Sequence, residues 1–262
     1  MGLAVDFKDA IERIEKVLPM LRQDIETAIL SHEVMEAQNA VVPPGLRGYQ
    51  TDFVQTYNAI QNALVLKLAM DVARVFDFSV GRPVDRQDMA SIPVLAMLLD
   101  VPGVVDELAN RASSWLSGIE WVTDDVVDRP SGVENIALEM LDREQAVNKE
   151  SCKSALADLV ILVNRLSNPT SAEFGALSRL KAFRNRRMAH SLFNKEPDSY
   201  PKYEDLTLLL EMAKVAVELC SLAVEGLNVH FADLTRRSRE NADGYAAIVR
   251  DGLKGAAEPE FP

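Results

Sequence analysis

Apolar residues recur at intervals of three and four along most of the chain, which is the spacing of a helix that buries one face. From Phe7 to about Asn39 the repeated positions are Ile11, Ile14, Val17 or Leu18, Leu21, Ile25, Ala28 and Ile29. The alternation of apolar and polar residues that would indicate strands is almost absent. The pattern therefore predicts a helical chain that begins with one long helix.

Proline and glycine clusters divide the rest of the periodic sequence into further helices. Breaks are expected at "VVPPGLRG" (41–48), "SVGRPVD" (79–85), "DVPGV" (100–104) and "SNPTSAE" (167–173). Between and after these breaks, helices are expected at about 51–78, 87–99, 104–116, 133–167, 171–194 and 203 to at least 231. Thr170 and Glu173 have the spacing of a capping box at the start of one of them. The predicted fold is all-α, an antiparallel helical bundle with long helices and short connections.

Neither a fixed-period repeat nor a charged linker divides the 262 residues, so residues 1–262 are expected to form one domain, with a disordered tail over 251–262. The composition, 48% hydrophobic and 26% charged, is typical of a soluble globular protein. The most apolar stretch, "LADLVILV" (156–163), is too short to span a membrane. The first residues lack the pattern of a secretion signal. The expected location is therefore the cytoplasm, without a membrane partner.

The net charge of −12 argues against broad nucleic-acid binding, because most of the surface would repel phosphate. Any nucleic-acid contact must therefore be local. The sequence has no phosphate-binding loop, dinucleotide motif or zinc-protease motif. Cys152 and Cys220 stand in apolar helical patterns without metal-ligand spacing, which favours buried thiols. Neither a metal nor a cofactor is expected.

The stretch "LKAFRNRRMAHS" (180–191) is where this acidic chain becomes locally positive. No carboxylate occurs between Gly175 and Ser191, and the cations in and beside the stretch are Arg179, Lys181, Arg184, Arg186 and Arg187. Cations at a helix end complement the helix dipole and cover apolar surface, so a purely structural role is one interpretation. The other is chemical, because the imidazole of His190 can carry a proton and a guanidinium can hold a phosphate through two donors. Together they suffice for metal-independent RNA cleavage by the 2′-hydroxyl.

The string "FRNRRMAHS" (183–191) resembles the motif of the HEPN superfamily, an Arg with a polar neighbour and a His after four to six intervening residues. In detail it is similar to the abortive-infection U-type branch, as are "ALVLKLAMDVARVFD" (63–77) and "ASIPVLAMLLD" (90–100). The resemblance implies that Arg184 clamps phosphate, that Asn185 is a supporting donor and that His190 is the general acid or base. On an ideal helix Arg184 and His190 would lie about 9 Å apart along the axis and about 120° around it, so they do not share a face.

The resemblance further implies a metal-independent endoribonuclease of a phage-defence or toxin–antitoxin system. Its partners would be RNA, a second copy in a homodimer whose site lies where two bundles pair, and an antitoxin protein. Arg179, Lys181, Arg186 and Arg187 would then hold the RNA backbone without reading bases. The alternative is a non-catalytic helical dimer that binds a nucleotide or a protein partner.

Asp71 is a further candidate site residue. Lys67, Asp71 and Arg74 fall on one face of the second predicted helix, which is otherwise apolar nearly all round. They form either an internal ion-pair ladder or a support for the motif, in which Asp71 faces Arg184 and orients it.

Overall fold

The computed structural model describes residues 6–47, 49–50, 54–115, 133–185, 200–255 and 258–259. Over these residues the chain forms eight α-helices: α1 Phe7–Gly45, α2 Val54–Val75, α3 Ile92–Leu99, α4 Val104–Ala112, α5 Val133–Arg165, α6 Ala172–Phe183, α7 Tyr203–Glu225 and α8 Phe231–Gly255. A single 3-10 turn lies at Val84–Arg86, and the two-residue strands β1 Tyr49–Gln50 and β2 Glu258–Pro259 pair antiparallel. The predicted all-α fold is confirmed.

The apolar repeat of α1 is the buried face of that helix. Every predicted position is at most 1% exposed, and at the ambiguous step the buried residue is Leu18, while Val17 is only half-buried. The helix also runs past its predicted end and through Pro43 and Pro44. Helical hydrogen bonding resumes beyond these prolines, since the N–H of Leu46 donates to the carbonyl of Val42 at 3.1 Å.

The predicted last helix is two helices. Gly226 adopts a left-handed conformation with φ +66°, which glycine tolerates and other residues rarely do, and α7 ends there. The N–H of Gly226 donates to the carbonyl of Leu222 at 3.0 Å, and the N–H of Leu227 to that of Ser221 at 3.3 Å. A Cβ on Gly226 would lie 2.8 Å from the Trp115 ring, so this turn also needs glycine for space.

The chain after α7 is more ordered than expected. Helix α8 starts at Phe231 and continues to Gly255, and residues 258–259 pair with residues 49–50. The prediction of a disordered tail over 251–262 is therefore wrong for 251–255 and 258–259. Ala242 and Ala246 of α8 are buried against Ala37 of α1, and this packing stabilises the middle of the helix.

The chain divides into two compact units. The first comprises 1–19, 78–165 and 215–229, and the second comprises 20–77, 166–214 and 230–262. Both α1 and α7 supply residues to each unit. The expectation of a single domain stays a prediction. Over the described residues, none of the helices combines the length and the apolar character that a membrane span requires.

In the first unit, α3 and α4 pack against α5. Both cysteines are free and buried, and the Cys152 thiol donates to the carbonyl of Ala223 at 3.3 Å, so the prediction of core thiols is confirmed. In the second unit, α2 packs against α6. This pairing matters for function, because α6 carries the start of the basic motif.

Candidate functional site

Helix α6 begins one residue later than the capping box predicted. Its N-cap is Ser171, whose hydroxyl accepts from the N–H of Phe174 at 3.0 Å. Thr170 is engaged earlier in the turn, where its N–H and its hydroxyl both donate to the side-chain oxygen of Asn168, at 3.1 and 2.9 Å. The Asn168 side chain forms a local turn with Thr170, and this leaves the cap to the next hydroxyl.

The far end of α6 brings Arg184 to the face that packs on α2. Ala176, Leu177 and Leu180 are the buried residues of α6, and Arg184 follows Leu180 by one helical turn. The backbone stays helical beyond Phe183, with the N–H of Arg184 donating to the carbonyls of Leu180 and Lys181. Residues 184–185 form a wider, π-type turn, a feature that often occurs at functional sites.

The guanidinium of Arg184 is held by Asp77. Its Nη1 lies 2.6 Å from Oδ2 of Asp77, and the two side chains are 28% and 30% exposed. Asp77 stands just after α2, where its own N–H donates to the carbonyl of Arg74 at 3.1 Å and the preceding Phe76 is fully buried. The carboxylate is therefore fixed by the end of one helix and meets a cation at the end of another. Arg184 is not a core residue and can reach a ligand in solvent.

Asn185 binds the other edge of the same guanidinium. Its Oδ1 accepts from both Nε and Nη2 of Arg184, each at 3.2 Å, and Asn185 itself is exposed. In this arrangement Asn185 is an acceptor for Arg184, whereas the motif implied a supporting donor. A guanidinium has no acceptor, so the N–H₂ group of Asn185 can donate only to another group, such as a ligand.

Lys181 is the second cation beside Asp77. Burial lowers the pKa of Lys181, the Asp77 carboxylate opposes this shift, and the charge of Arg184 adds to it. The motif therefore gathers two cations around one carboxylate. These cations lie in a chain whose net charge is −12. Such a cluster can bind an anion such as a phosphate group.

Arg179 has a different partner. Its Nε and Nη2 donate to the two carboxylate oxygens of Asp205 at 2.8 and 2.6 Å, and Asp205 also accepts from the N–H of Lys202 at 2.8 Å. The Asp205 side chain is 8% exposed. The pair links α6 to the first turn of α7, so the Nε donor and one Nη2 donor of Arg179 serve the fold. Its predicted contact with RNA stays a prediction.

The carboxylate that meets Arg184 is that of Asp77, and not that of Asp71, which one of the two interpretations of the sequence placed there. Asp71 instead forms the ion-pair ladder that was the other interpretation: Lys67 Nζ lies 2.5 Å and Arg74 Nη2 lies 3.8 Å from its carboxylate. Arg74 continues the ladder to Asp24 of α1 at 2.6 Å. Asp71 is thus drawn to the cations of its own helix.

His190, Arg186 and Arg187 lie outside the residues that the structure describes, and their predicted roles stay predictions. Next to the motif, the rings of Phe183 and Tyr200 are 5.9 Å apart and tilted by 58°, with Tyr200 45% exposed. Sequence reasoning missed Tyr200, which no motif marked. Within the described ranges no group of three or more His, Cys, Asp or Glu side chains could hold a metal ion.

Comparison with known proteins agrees with the motif. A family model described as AbiU2, of the HEPN type, matches residues 11–245. Searches of curated proteins and of solved structures gave no match. The matched region includes both helices that meet at Arg184 and Asp77, as well as the full basic motif. Because the family model covers most of the chain, the protein belongs to the AbiU2 family of HEPN proteins.

Proposed function

We propose that the protein is a metal-independent endoribonuclease of a phage-defence or toxin–antitoxin system. Membership of the AbiU2 family points to abortive infection or a toxin-like role. The observation that carries the finer proposal is the guanidinium of Arg184, which is partly exposed, fixed by Asp77 and accompanied by Lys181. A local positive site in an acidic chain suits the binding of one phosphate group better than the coating of a long duplex.

The reaction needs few groups. His190 takes the proton of the RNA 2′-hydroxyl, the 2′-oxygen attacks the adjacent phosphorus, and the P–O5′ bond breaks as the 5′-oxygen receives a proton. Arg184 stabilises the charge that develops on the phosphate oxygens. The products are a 2′,3′-cyclic phosphate and a 5′-hydroxyl. In a homodimer the two copies of His190 would act as base and acid.

The homodimer would use the exposed face of α2. Ala59, Ala63, Leu66 and Met70 are all exposed, Leu66 by 44% and Met70 by 57%, and they fall within an arc of about 60° on the helix. Residues 54–66 carry no charge. Two copies of a chain with net charge −12 repel each other, and this repulsion is weakest where an apolar face has no charges. A second copy of the chain is therefore the occupant that we propose.

The dimer is tested by the molar mass in solution. Leu66→Glu together with Met70→Glu should shift the protein from dimer to monomer in light scattering, and Ile248→Glu on α8, where Ile248 is 72% exposed, is the matched control. A wild-type monomer, or a dimer that survives the double substitution, would exclude this face. An antitoxin protein that silences the nuclease belongs to the same proposal.

The RNA would be single-stranded or a loop. Unpaired bases stack on exposed aromatic rings, and Tyr200 offers such a ring beside Phe183, the residue before Arg184. Tyr200→Ala should weaken binding of a short oligoribonucleotide. Tyr245→Ala, which removes a ring of similar exposure from α8, should leave it unchanged. Equal effects of the two substitutions would contradict a stacking role for Tyr200.

Cleavage is tested directly with purified protein, total RNA and EDTA. We expect fragments with cyclic-phosphate ends, abolished by His190→Ala and Arg184→Ala in proteins that keep the helical circular dichroism of the wild type. His230→Ala is the matched control, because His230 is an exposed histidine outside the motif. Cleavage that persists in His190→Ala would contradict the catalytic role of His190. Tight binding of RNA or nucleotide without any cleavage would support the non-catalytic dimer instead.

A further inference from the structure

We infer that Asp77 is a positioning residue for Arg184, and that the edge of Arg184 now bound by Asn185 is the edge that binds phosphate. Asp77 would hold Nη1 while Nε and Nη2 exchange the amide oxygen of Asn185 for two phosphate oxygens. This inference rests on the proposed function in taking the phosphate to be that of RNA. It adds a residue outside the motif and assigns each edge of the guanidinium a separate role.

The Asp77 contact has the properties of a permanent anchor. At 2.6 Å it is a short, charge-assisted pair, and both side chains are about 70% buried. Asp77 follows Phe76, which is fully buried, so its backbone is fixed by the core. One anchored side leaves the planar guanidinium few orientations.

The Asn185 contact has the properties of a placeholder. It joins a neutral amide oxygen to two donors at 3.2 Å, which is longer than the distance of about 2.7–2.9 Å typical of a charged pair. Asn185 directly follows Arg184 and its side chain is exposed, so the amide can rotate away from the guanidinium at little cost. A phosphate offers two charged oxygens in the fork geometry that Nε and Nη2 match. Phosphate should therefore displace the amide and leave the Asp77 pair intact.

Asp77 could instead have the opposite role, in which its carboxylate competes with phosphate for the guanidinium of Arg184. The two roles differ in the sign of the effect of Asp77→Asn. If Asp77 positions Arg184, the substitution lowers kcat about 10- to 100-fold, with a smaller change in KM, because a misplaced catalytic group costs rate. If Asp77 competes, the substitution raises both RNA affinity and rate, since a carboxylate beside the phosphate has gone.

The matched control is Asp251→Asn, which also removes one carboxylate from an arginine, Arg250 at 2.8 Å, but on an exposed surface. It changes the net charge by the same amount and should leave kcat unchanged. Asp77→Glu should restore part of the rate. In an Arg184→Lys background Asp77→Asn should have little further effect, because an ammonium group needs no orientation. A full additional loss in that background would overturn the positioning role.

A binding measurement separates this inference from the proposed nuclease activity. The probe is inorganic phosphate, and the readout is the Nε–H signal of Arg184 in ¹⁵N-labelled protein. Phosphate should shift this signal in the wild type. Asn185→Asp should weaken phosphate binding, because a carboxylate competes for the same edge, whereas Asn185→Ala should not weaken it. If the protein shows this pattern but never cleaves RNA, the nuclease proposal is wrong and the inference about Asp77 and Asn185 still holds. If phosphate leaves the signal unmoved in the wild type, the inference is wrong.

Discussion

Replacing Asp205 with asparagine tests how much the link between α6 and α7 contributes to stability. Asparagine keeps the shape of the side chain and one acceptor oxygen but removes the charge. The carboxylate accepts two hydrogen bonds from Arg179, at 2.8 and 2.6 Å, and one from the N–H of Lys202, the residue just before α7. All three are weakened or lost in Asp205→Asn.

The expected loss lies between two limits. Exposed ion pairs contribute about 0.2–1 kcal/mol, whereas removing one partner of a fully buried pair costs about 3–5 kcal/mol. Here Asp205 is 8% exposed but Arg179 is 33% exposed, so water still screens one side of the pair. We expect Asp205→Asn to lower the free energy of unfolding by about 1.5–3 kcal/mol at pH 7. Urea denaturation with an unchanged m-value measures this change.

The pH dependence has a definite sign. The hydrogen bond from Arg179, with help from the Lys202 N–H, lowers the pKa of Asp205 despite its burial. A carboxyl whose folded pKa lies below its unfolded value, about 3.9, stabilises the fold above that value and loses the effect as pH falls through the folded pKa. The free energy of unfolding of the wild type should therefore exceed that of Asp205→Asn by a constant amount from pH 7 to about pH 5. This difference should shrink below about pH 4.

Two results would refute this reasoning. One is a difference below about 0.5 kcal/mol at pH 7, which would make the pair no better than an exposed one. The other is a difference that stays constant down to pH 2. A double-mutant cycle with Arg179→Met isolates the pair, and its coupling energy should account for most of the loss. In the same proteins, Arg179→Met should reduce RNA affinity less than Lys181→Met, because two donors of Arg179 already bind Asp205.

Two further predictions concern glycines and thiols. Gly244→Ala should raise the free energy of unfolding by about 0.5–1 kcal/mol, because Gly244 lies inside α8 with open space at its Cβ position. Gly226→Ala should lower the free energy of unfolding by about 2 kcal/mol or more, because Gly226 has a left-handed φ and a Cβ there would meet the Trp115 ring. Urea titrations of both variants check this, and a loss at Gly244 would contradict it. Cys152, whose pKa burial raises to about 11, and the fully buried Cys220 should react with a thiol reagent only after unfolding, so fast labelling of native protein would contradict their burial.

The sequence alone determined the helical architecture. The spacing of apolar residues identified the buried face of α1 from Ile11 to Ile29, because that spacing is a property of one helix and needs no knowledge of its neighbours. The resemblance of "FRNRRMAHS" to the HEPN motif pointed to Arg184, Asn185 and His190, which lie close along the chain. Element ends were less well predicted. Gly226 ends α7 through a backbone conformation that a single glycine in a helical pattern does not announce.

The tertiary structure decided which charges meet. Periodicity indicates the face of a helix on which a residue lies, but it does not say which segment packs against that face. The sequence therefore left open whether Asp71 faces Arg184 or pairs within its own helix, while the packing of α2 on α6 brings Asp77 to Arg184. Arg179 and Asp205 likewise lie 26 residues apart and meet only when α6 and α7 pack. Ion pairs between distant residues form after the helices have docked, so only the folded chain determines them.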